Sequence, residues 1–579
     1  MSTNKKRDII GLLLGLIILV SANYLGTLAF HRFDLTSENR YSLSENTKKL
    51  LDNLSDKVFV RVYLEGDFPA EYKRLRNETR EMLNEFKAYS NGNLDFLFIN
   101  PSESSKLEVR DENYRRLYDK GLRPTDLEVK EEDGISQKII WPGALISFKD
   151  IEYPVQLLSS TVTADPERMI NQSIESMEYV LASGIKNASN TEVKAVGITE
   201  GHGEYDKYEL ADLMGSLRER YNVERVKFNG NINAFSERFF KDSANALVRN
   251  KYAAIIIAGP TEKFSEQDKF ILDQYVMRGG KILWALDMVD VTMDSLKTVN
   301  TTLATPRDLN LSDMLFKYGI RINKDLVMDL RSAPIPVVQG TVGNQPKTTL
   351  FPWYYFPLMV PEGEHPISKN LGAIRGEFMN SIDFVGGNDS MKKSVLLTTS
   401  EYTKLVKAPT RVSLNVLRFD PPKEQYNKKN IPVAALVEGK FESVFKNRLT
   451  SQFTESGIIE FQEQAEEDNK MIFISDGNVL KNEVKKGSNE YFPMGYDQYA
   501  RNVFANRDFI LNSMDYLLDE SGLILSNNKT LKIRLLDIEA VDENKVFWKS
   551  FNVVLPVILI IFLGASIYYI RKKIYISKT

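Results

Sequence analysis

Ala253-Ala-Ile-Ile-Ile-Ala258, running into Gly259-Pro-Thr261 and answered by Lys281-Ile-Leu-Trp-Ala-Leu-Asp287, decides the fold. The first run is apolar throughout, as expected of a strand buried on both faces of a parallel sheet. Between the two runs, Ser265 stands where a helix N-cap is wanted and Gly279-Gly280 closes the helix near Arg278. Strand, helix and strand in this order make a βαβ unit with a right-handed crossover. Working outward, residues 194–199 and 223–228 read as strands around an amphipathic helix over 208–221, with a helix over about 165–183 leading in. Downstream come a helix and strand within 309–329, strands at 394–399, 433–438 and 471–475, and a helix at 508–518 carrying Phe509, Met514, Leu517 and Leu518 for the sheet. The whole predicts a doubly wound α/β domain over 161–530. Residues 333–366, rich in Pro, Gly and aromatics, read as irregular, inside an insertion at 333–390. The polar stretches 423–429 and 460–470 read as loops.

A smaller α/β domain is expected over 31–160. Ser44 is a good N-cap for a helix with Leu50, Leu51 and Leu54 on one face. Residues 57–64 alternate at period two and read as a strand. Residues 71–89 read as a helix with Leu75, Thr79, Met82, Leu83 and Phe86 in its apolar stripe, followed by a strand at 94–99. A helix at 110–120 and a hairpin of 138–148 with 151–158 complete a thioredoxin-like order. A redox role is excluded, because no Cys-x-x-Cys can exist in this chain.

The 579 residues include 75 Lys+Arg, 78 Asp+Glu, three His and no Cys. Zero Cys excludes disulfides, thiolate zinc sites, iron–sulfur clusters and every Cys nucleophile. A net charge of −3 argues against nucleic acid as a partner. Charge is unevenly spread. Residues 9–30 carry none and as a helix would span about 33 Å, enough for a hydrocarbon core of roughly 30 Å. Residues 551–570 are also uncharged. Two transmembrane helices are therefore expected, flanked by tails 1–8 and 571–579, with a membrane-proximal linker at 531–550. Lys5, Lys6 and Arg7 precede the first span; Arg571, Lys572, Lys573 and Lys578 follow the second. The positive-inside bias puts both termini in the cytoplasm of a two-pass inner-membrane protein, with the bulk periplasmic. Thr27 and Ala29 could mark a signal-peptide cut, but the apolar run is long for one, so an uncleaved anchor is expected.

In a doubly wound sheet, ligands sit beyond the carboxyl ends of the strands. The residues found there are Glu200, His202 and Glu204, then Thr261, Asp287 and Asp476, which form a candidate ligand-binding rim. Acidic side chains with one histidine could hold a metal or a polyol. The plainer reading is that Gly and Asp end strands because turns need them, and so few histidines weigh against catalytic zinc. No metal or cofactor is called for. A second candidate is Phe351-Pro-Trp-Tyr-Tyr-Phe-Pro357. If exposed, Trp353, Tyr354, Tyr355 and Phe356 offer a partner surface; if buried, they are core. Enzyme motifs fail one by one. Gly343-Asn-Gln-Pro-Lys347-Thr348 is the nearest approach to a phosphate loop and has Pro346 where Gly is required. Neither Gly-x-Ser-x-Gly nor His-Glu-x-x-His occurs.

Arg32-Phe-Asp-Leu-Thr36 and Arg40-Tyr-Ser-Leu-Ser44 follow the first anchor. After them come Thr199-Glu-Gly-His-Gly-Glu204, Ala258-Gly-Pro-Thr261 with Phe264-Ser265, and Tyr275 through Arg278-Gly-Gly-Lys-Ile-Leu-Trp284. Tyr318-Gly-Ile-Arg-Ile-Asn323 and Asn506-Arg-Asp-Phe-Ile-Leu-Asn512 complete the series. In this order the chain resembles the GldG family, the gliding-motility-associated accessory proteins of ABC transporters. The resemblance implies a class I amidotransferase-like domain without catalytic residues. It also implies an inner-membrane position beside an ABC permease, with a cytoplasmic ATPase reached through that permease and the lipid bilayer around the anchors. No catalytic residue transfers. Three functions compete: a non-catalytic transporter subunit, a scaffold coupling the inner membrane to envelope machinery through Trp353 and its neighbours, and a periplasmic metal-dependent hydrolase using Glu200, His202, Asp287 and Asp476.

Overall fold

The structure, a computed structural model, describes residues 10–21, 42–131, 134–158, 166–190, 193–240, 246–342, 345–361, 363, 365–388, 390–448, 461–485, 487–488, 490–528 and 544–576. The chain divides into a unit over Met1–Lys529 and a second over Thr530–Thr579.

Within the first unit, helix α1 (Glu45–Asp52) starts at Ser44, whose hydroxyl accepts from the Thr47 amide at 3.2 Å. Strand β1 (Val58–Val62), helix α2 (Ala70–Tyr89), strand β2 (Leu94–Phe98) and helix α3 (Leu107–Asp119) follow. All five stripe residues predicted for α2 are buried, joined by Tyr72. Strands β3 (Gly143–Phe148) and β4 (Ile151–Gln156) close a sheet of order β2-β1-β3-β4. In it β1 and β2 are parallel, and β3 is antiparallel to both of its neighbours. The expected hairpin is shorter than read. Residues 138–140 belong to a separate ribbon, Thr125–Glu131 against Gly134–Ile140. Pro142 has no N–H to continue the ladder, and it splits the run.

Helix α4 (Pro166–Ser189) packs on this small sheet: a Cβ on Gly184 would lie 2.4 Å from Val155 and 2.7 Å from Ile146. The same helix reaches the large domain, where Tyr179 donates to Asp515 at 2.8 Å and Lys186 pairs with Asp519 at 2.6 Å. The chain then runs through β5 (Ala195–Glu200), α5 (Ala211–Arg218), β6 (Asn222–Lys227), β7 (Ala254–Ala258), α6 (Glu266–Met277) and β8 (Lys281–Ala285). After the ribbon β9 (Ser332–Val342) and β10 (Gln345–Met359) come β11 (Lys392–Thr398), β12 (Pro432–Gly439), β13 (Asn469–Ile474) and α7 (Asn506–Leu518). The central sheet has the order β11-β12-β13-β8-β7-β5-β6. Strands β6, β5, β7, β8 and β13 are parallel; β12 and β11 are an antiparallel extension.

Both faces of β7 are covered, as its unbroken apolar sequence requires. Ile256 packs with Leu283, Ile472 and residues of α5 and α7 on one face. Ile255 and Ile257 pack with Trp284, Phe473 and Tyr275 of α6 on the other. Ser265 caps α6 in a capping box closed by Asp268.

The region expected to be irregular is a long antiparallel ribbon, β9 with β10. Proline misled the reading. Pro334 faces Pro352 and Pro336 faces Leu350, so Pro334 and Pro336 lie two apart on one strand. Their missing N–H groups point to the outer edge, where no ladder bond is lost. Among the described residues, the ribbon pairs onward only with Ile374–Arg375, at Leu358 and Met359.

At the N-terminal end an apolar helix covers Ile10–Ser21; residues 22–41, which complete the first expected span and carry the Arg32 motif, lie outside the described residues. In the second unit a helix covers Lys545–Ile576, and its 24 apolar residues Phe547–Ile570 are long enough to cross a membrane. One helix of spanning length is thus described, where two were expected. Most of the linker, 531–543, also lies outside the described residues.

Candidate functional site

The parallel strands β6-β5-β7-β8-β13 put their carboxyl ends on one edge, and the six rim residues fall there in two groups. The first surrounds His202. Its ring is buried and stacks on Phe264, with centroids 4.0 Å apart and planes 6° apart. Nε2 donates to Asp268 at 3.2 Å, and Nδ1 lies 3.8 Å from Glu204. Burial opposes the charge on this ring, but the two carboxylates more than offset it and raise the pKa to about 9. Asp268 is correspondingly held down at about 2, against its own burial. His202 is therefore an imidazolium at neutral pH, with both nitrogens protonated and facing acids. A metal ion at His202 would have to displace a proton held between two carboxylates, which disfavours ligation there. Glu200 pairs with Arg225, whose guanidinium also donates to the Tyr205 carbonyl at 2.9 Å.

The second group lies at β8 and β13. Asp287 accepts from the Gly477 amide at 3.2 Å. Asp476 accepts from the amides of Glu377 and Asn478 at 2.6 and 2.8 Å. Burial pushes Asp287 up to about 6. Burial and the neighbouring Asp287 charge push Asp476 well above the carboxylate range. Among the described residues, no three His, Asp or Glu are grouped to hold a metal ion.

Tyr205 lies between the groups. Its hydroxyl donates to Asn478 Oδ1 at 3.2 Å. A Cβ on Gly259, which has φ +62°, would sit 2.5 Å from its ring. A Cβ on Gly477 would sit 2.8 Å from both Gly259 and Asp287. Only glycine fits at either place. The crevice between β5 and β7, where the strand order reverses, is the usual ligand position in such a sheet. Here its two loops are tied together. The His202 carbonyl accepts from the amides of Thr261 and Glu262 at 2.8 and 2.9 Å, the Thr261 hydroxyl donates to the Gly203 carbonyl at 3.1 Å, and the Tyr205 amide donates to the Ala258 carbonyl at 3.2 Å. The rim is a packed plug.

Three members of the plug escaped the sequence reading: Asp268, Tyr205 and Glu377. A signal existed for Asp268, because Ser265-x-x-Asp268 has capping-box spacing. None existed for Glu377, which arrives from a distant loop.

The aromatic stretch is not a free surface. Trp353, Tyr355 and Phe356 are buried, and only Tyr354 keeps partial exposure, with its ring against Tyr426. Trp353 and Tyr355 share the alternating face of β10 that turns inward, and Tyr355 and Phe356 both pack on Phe378.

A doubly wound domain with its ligand crevice closed, joined to a smaller mixed-sheet domain, is the class that the geometry defines. The chain belongs to the family described as an ABC-type uncharacterized transport system, whose model matches residues 193–513, more than half of its length. Residues 37–147 match a separate domain of unknown function. An uncharacterized protein of Borreliella burgdorferi is 21% identical over 455 residues, covering 77% of this chain and 80% of its own. Among solved structures, the mmIFT52 N-terminal domain aligns with 59% of this chain and all of its own, at 15% identity and a TM-score of 0.31. That likeness is too low to argue from.

Proposed function

We propose that the chain is a non-catalytic subunit of an ABC transporter complex of the gliding-motility-associated, GldG-like kind. Its large extracytoplasmic region binds or positions a partner, and its apolar helices pack beside an ABC permease. The cytoplasmic ATPase is reached only through that permease. In this reading the protein is a two-pass inner-membrane protein with both termini cytoplasmic and the bulk periplasmic. The small domain is thioredoxin-like, as the order β2-β1-β3-β4 with a reversed third strand favours, and the large one is class I amidotransferase-like.

One observation carries the non-catalytic part. Where a doubly wound enzyme keeps its reacting groups, this chain has Tyr205 and a charge-locked His202 in a crevice closed by direct hydrogen bonds. That arrangement also counts against the metal-dependent hydrolase, whose residues Glu200, His202, Asp287 and Asp476 are engaged in separate pairings. Copurification from native membranes tests the proposal: a permease and an ATPase are expected with the tagged chain, and recovery of the chain without either refutes it.

A further inference from the structure

One residue past the plug, at Met288, the surface opens into a groove of about 810 Å³. That is the size of a small-ligand site, which typically takes roughly 300–1,000 Å³. Met288, Leu315, Ile322 and Val444 line it and are buried. Lys317, Arg321, Lys324, Lys446 and Arg448 also line it, with Asp313 as the one lining carboxylate.

The cations are only partly neutralised. Lys317 and Lys446 share Glu442, at 2.7 and 3.8 Å. Arg448 shares Asp313 with the buried Lys269, at 3.4 and 2.8 Å. Arg321 pairs with Asp383. Lys324 forms no ion pair among the described residues. Of the five lining cations, four thus form ion pairs with three carboxylates, with Asp308, itself paired with Lys263, as a more distant acidic neighbour of Lys324, in a chain whose net charge is −3. A cationic rim over an apolar floor is complementary to an anion carried on an apolar body, and low-dielectric walls strengthen the attraction.

We propose that this groove binds an amphipathic anion, a phosphate or carboxylate group on a short apolar moiety, with Lys324 and Lys446 as the principal contacts to the charge. The proposal does not depend on the permease reading, since none of the groove's lining residues belongs to the six rim residues.

The test uses the full chain in nanodiscs of neutral phosphatidylcholine, titrated calorimetrically with hexyl phosphate. Inorganic phosphate and hexanol serve as comparison ligands. Saturable binding of hexyl phosphate, tighter than either, is expected. Lys324→Gln and Lys446→Gln should each weaken it about tenfold and together about a hundredfold, the usual range for charge-assisted contacts. Each substitution leaves its surroundings paired, because Glu442 keeps Lys317. Lys485→Gln, which removes a surface ion pair with Glu490 elsewhere, should change nothing. The proposal is overturned by absent saturation, by affinity unmoved in the double variant, or by inorganic phosphate binding as tightly as its hexyl ester. A second arm uses phosphatidylglycerol nanodiscs. If these suppress hexyl phosphate binding to the wild type, the natural anion is a lipid headgroup; if they leave it intact, the anion is soluble. Both results uphold the groove.

Discussion

Raising the pH should dismantle the His202 triad and loosen the whole plug. The folded pKa of His202 is about 9 against 6.5 for a free histidine. A raised folded pKa means stabilisation that is complete below pH 6.5 and disappears as pH climbs through 9. Two and a half pKa units correspond to about 3.4 kcal/mol. Asp268, held down at about 2, reflects the same attraction and is counted once. His202→Gln should therefore cost about 3–5 kcal/mol at pH 6, because it strands Glu204 and Asp268 as buried carboxylates without a cation. At pH 9.5 the wild type has lost its own imidazolium, so the gap should shrink by about 3 kcal/mol. Urea unfolding of the full chain, followed by the fluorescence of its four tryptophans, measures this. With three histidines in the chain, NMR titration gives an independent reading: His202 near 9, and His365, depressed by burial, near 4. A His202 midpoint near 6.5, or a wild-type-to-variant gap equal at pH 6 and 9.5, would refute the reasoning.

Two further outcomes follow from the same structure. Asp287 has the same sign in a more acidic window: its folded pKa is raised to about 6, so its contribution is present below pH 4 and lost as pH rises through 6. Asp287→Asn, which keeps an acceptor for Gly477, should stabilise the chain by about 1–3 kcal/mol at pH 7.5 and by almost nothing at pH 4; destabilisation at pH 7.5 in the same urea assay would contradict this. Trp353→Ala should cost about 3–5 kcal/mol through the cavity it leaves and should lower the unfolding midpoint. A variant that keeps full stability while losing a partner would return Trp353 to the surface role first expected of it.

The parallel sheet was legible because its strands are unusually plain. The run 253–258 could only be buried on both sides, and Ser265 with Gly279-Gly280 bracketed its helix. The stripe of α2 was equally plain, since Leu75, Met82, Leu83 and Phe86 recur at helical spacing. The ribbon β9–β10 was not, because its prolines speak against strand until the partner strand shows that they sit on outer edges. The rim residues were placed on the right edge, but their roles were not readable. Whether His202 is a ligand or a locked cation depends on Asp268, 66 positions away in sequence, and pair distances across such separations are set by packing. The groove escaped notice because its cations come from the 317–324 and 446–448 stretches, which share no local pattern.

The prolines of the ribbon have a consequence beyond its misreading. A two-stranded ribbon exposes two rows of backbone donors and acceptors, an invitation to any passing strand. Near its base, Pro334 and Pro336 remove donors from one edge and Pro352 removes one from the other. Farther out, Val338 is exposed opposite Thr348, and Pro346 faces Thr341 near the tip. The chain thus sets prolines along both strands of this hairpin, from its root to near its tip, and so guards it against unwanted polymerisation.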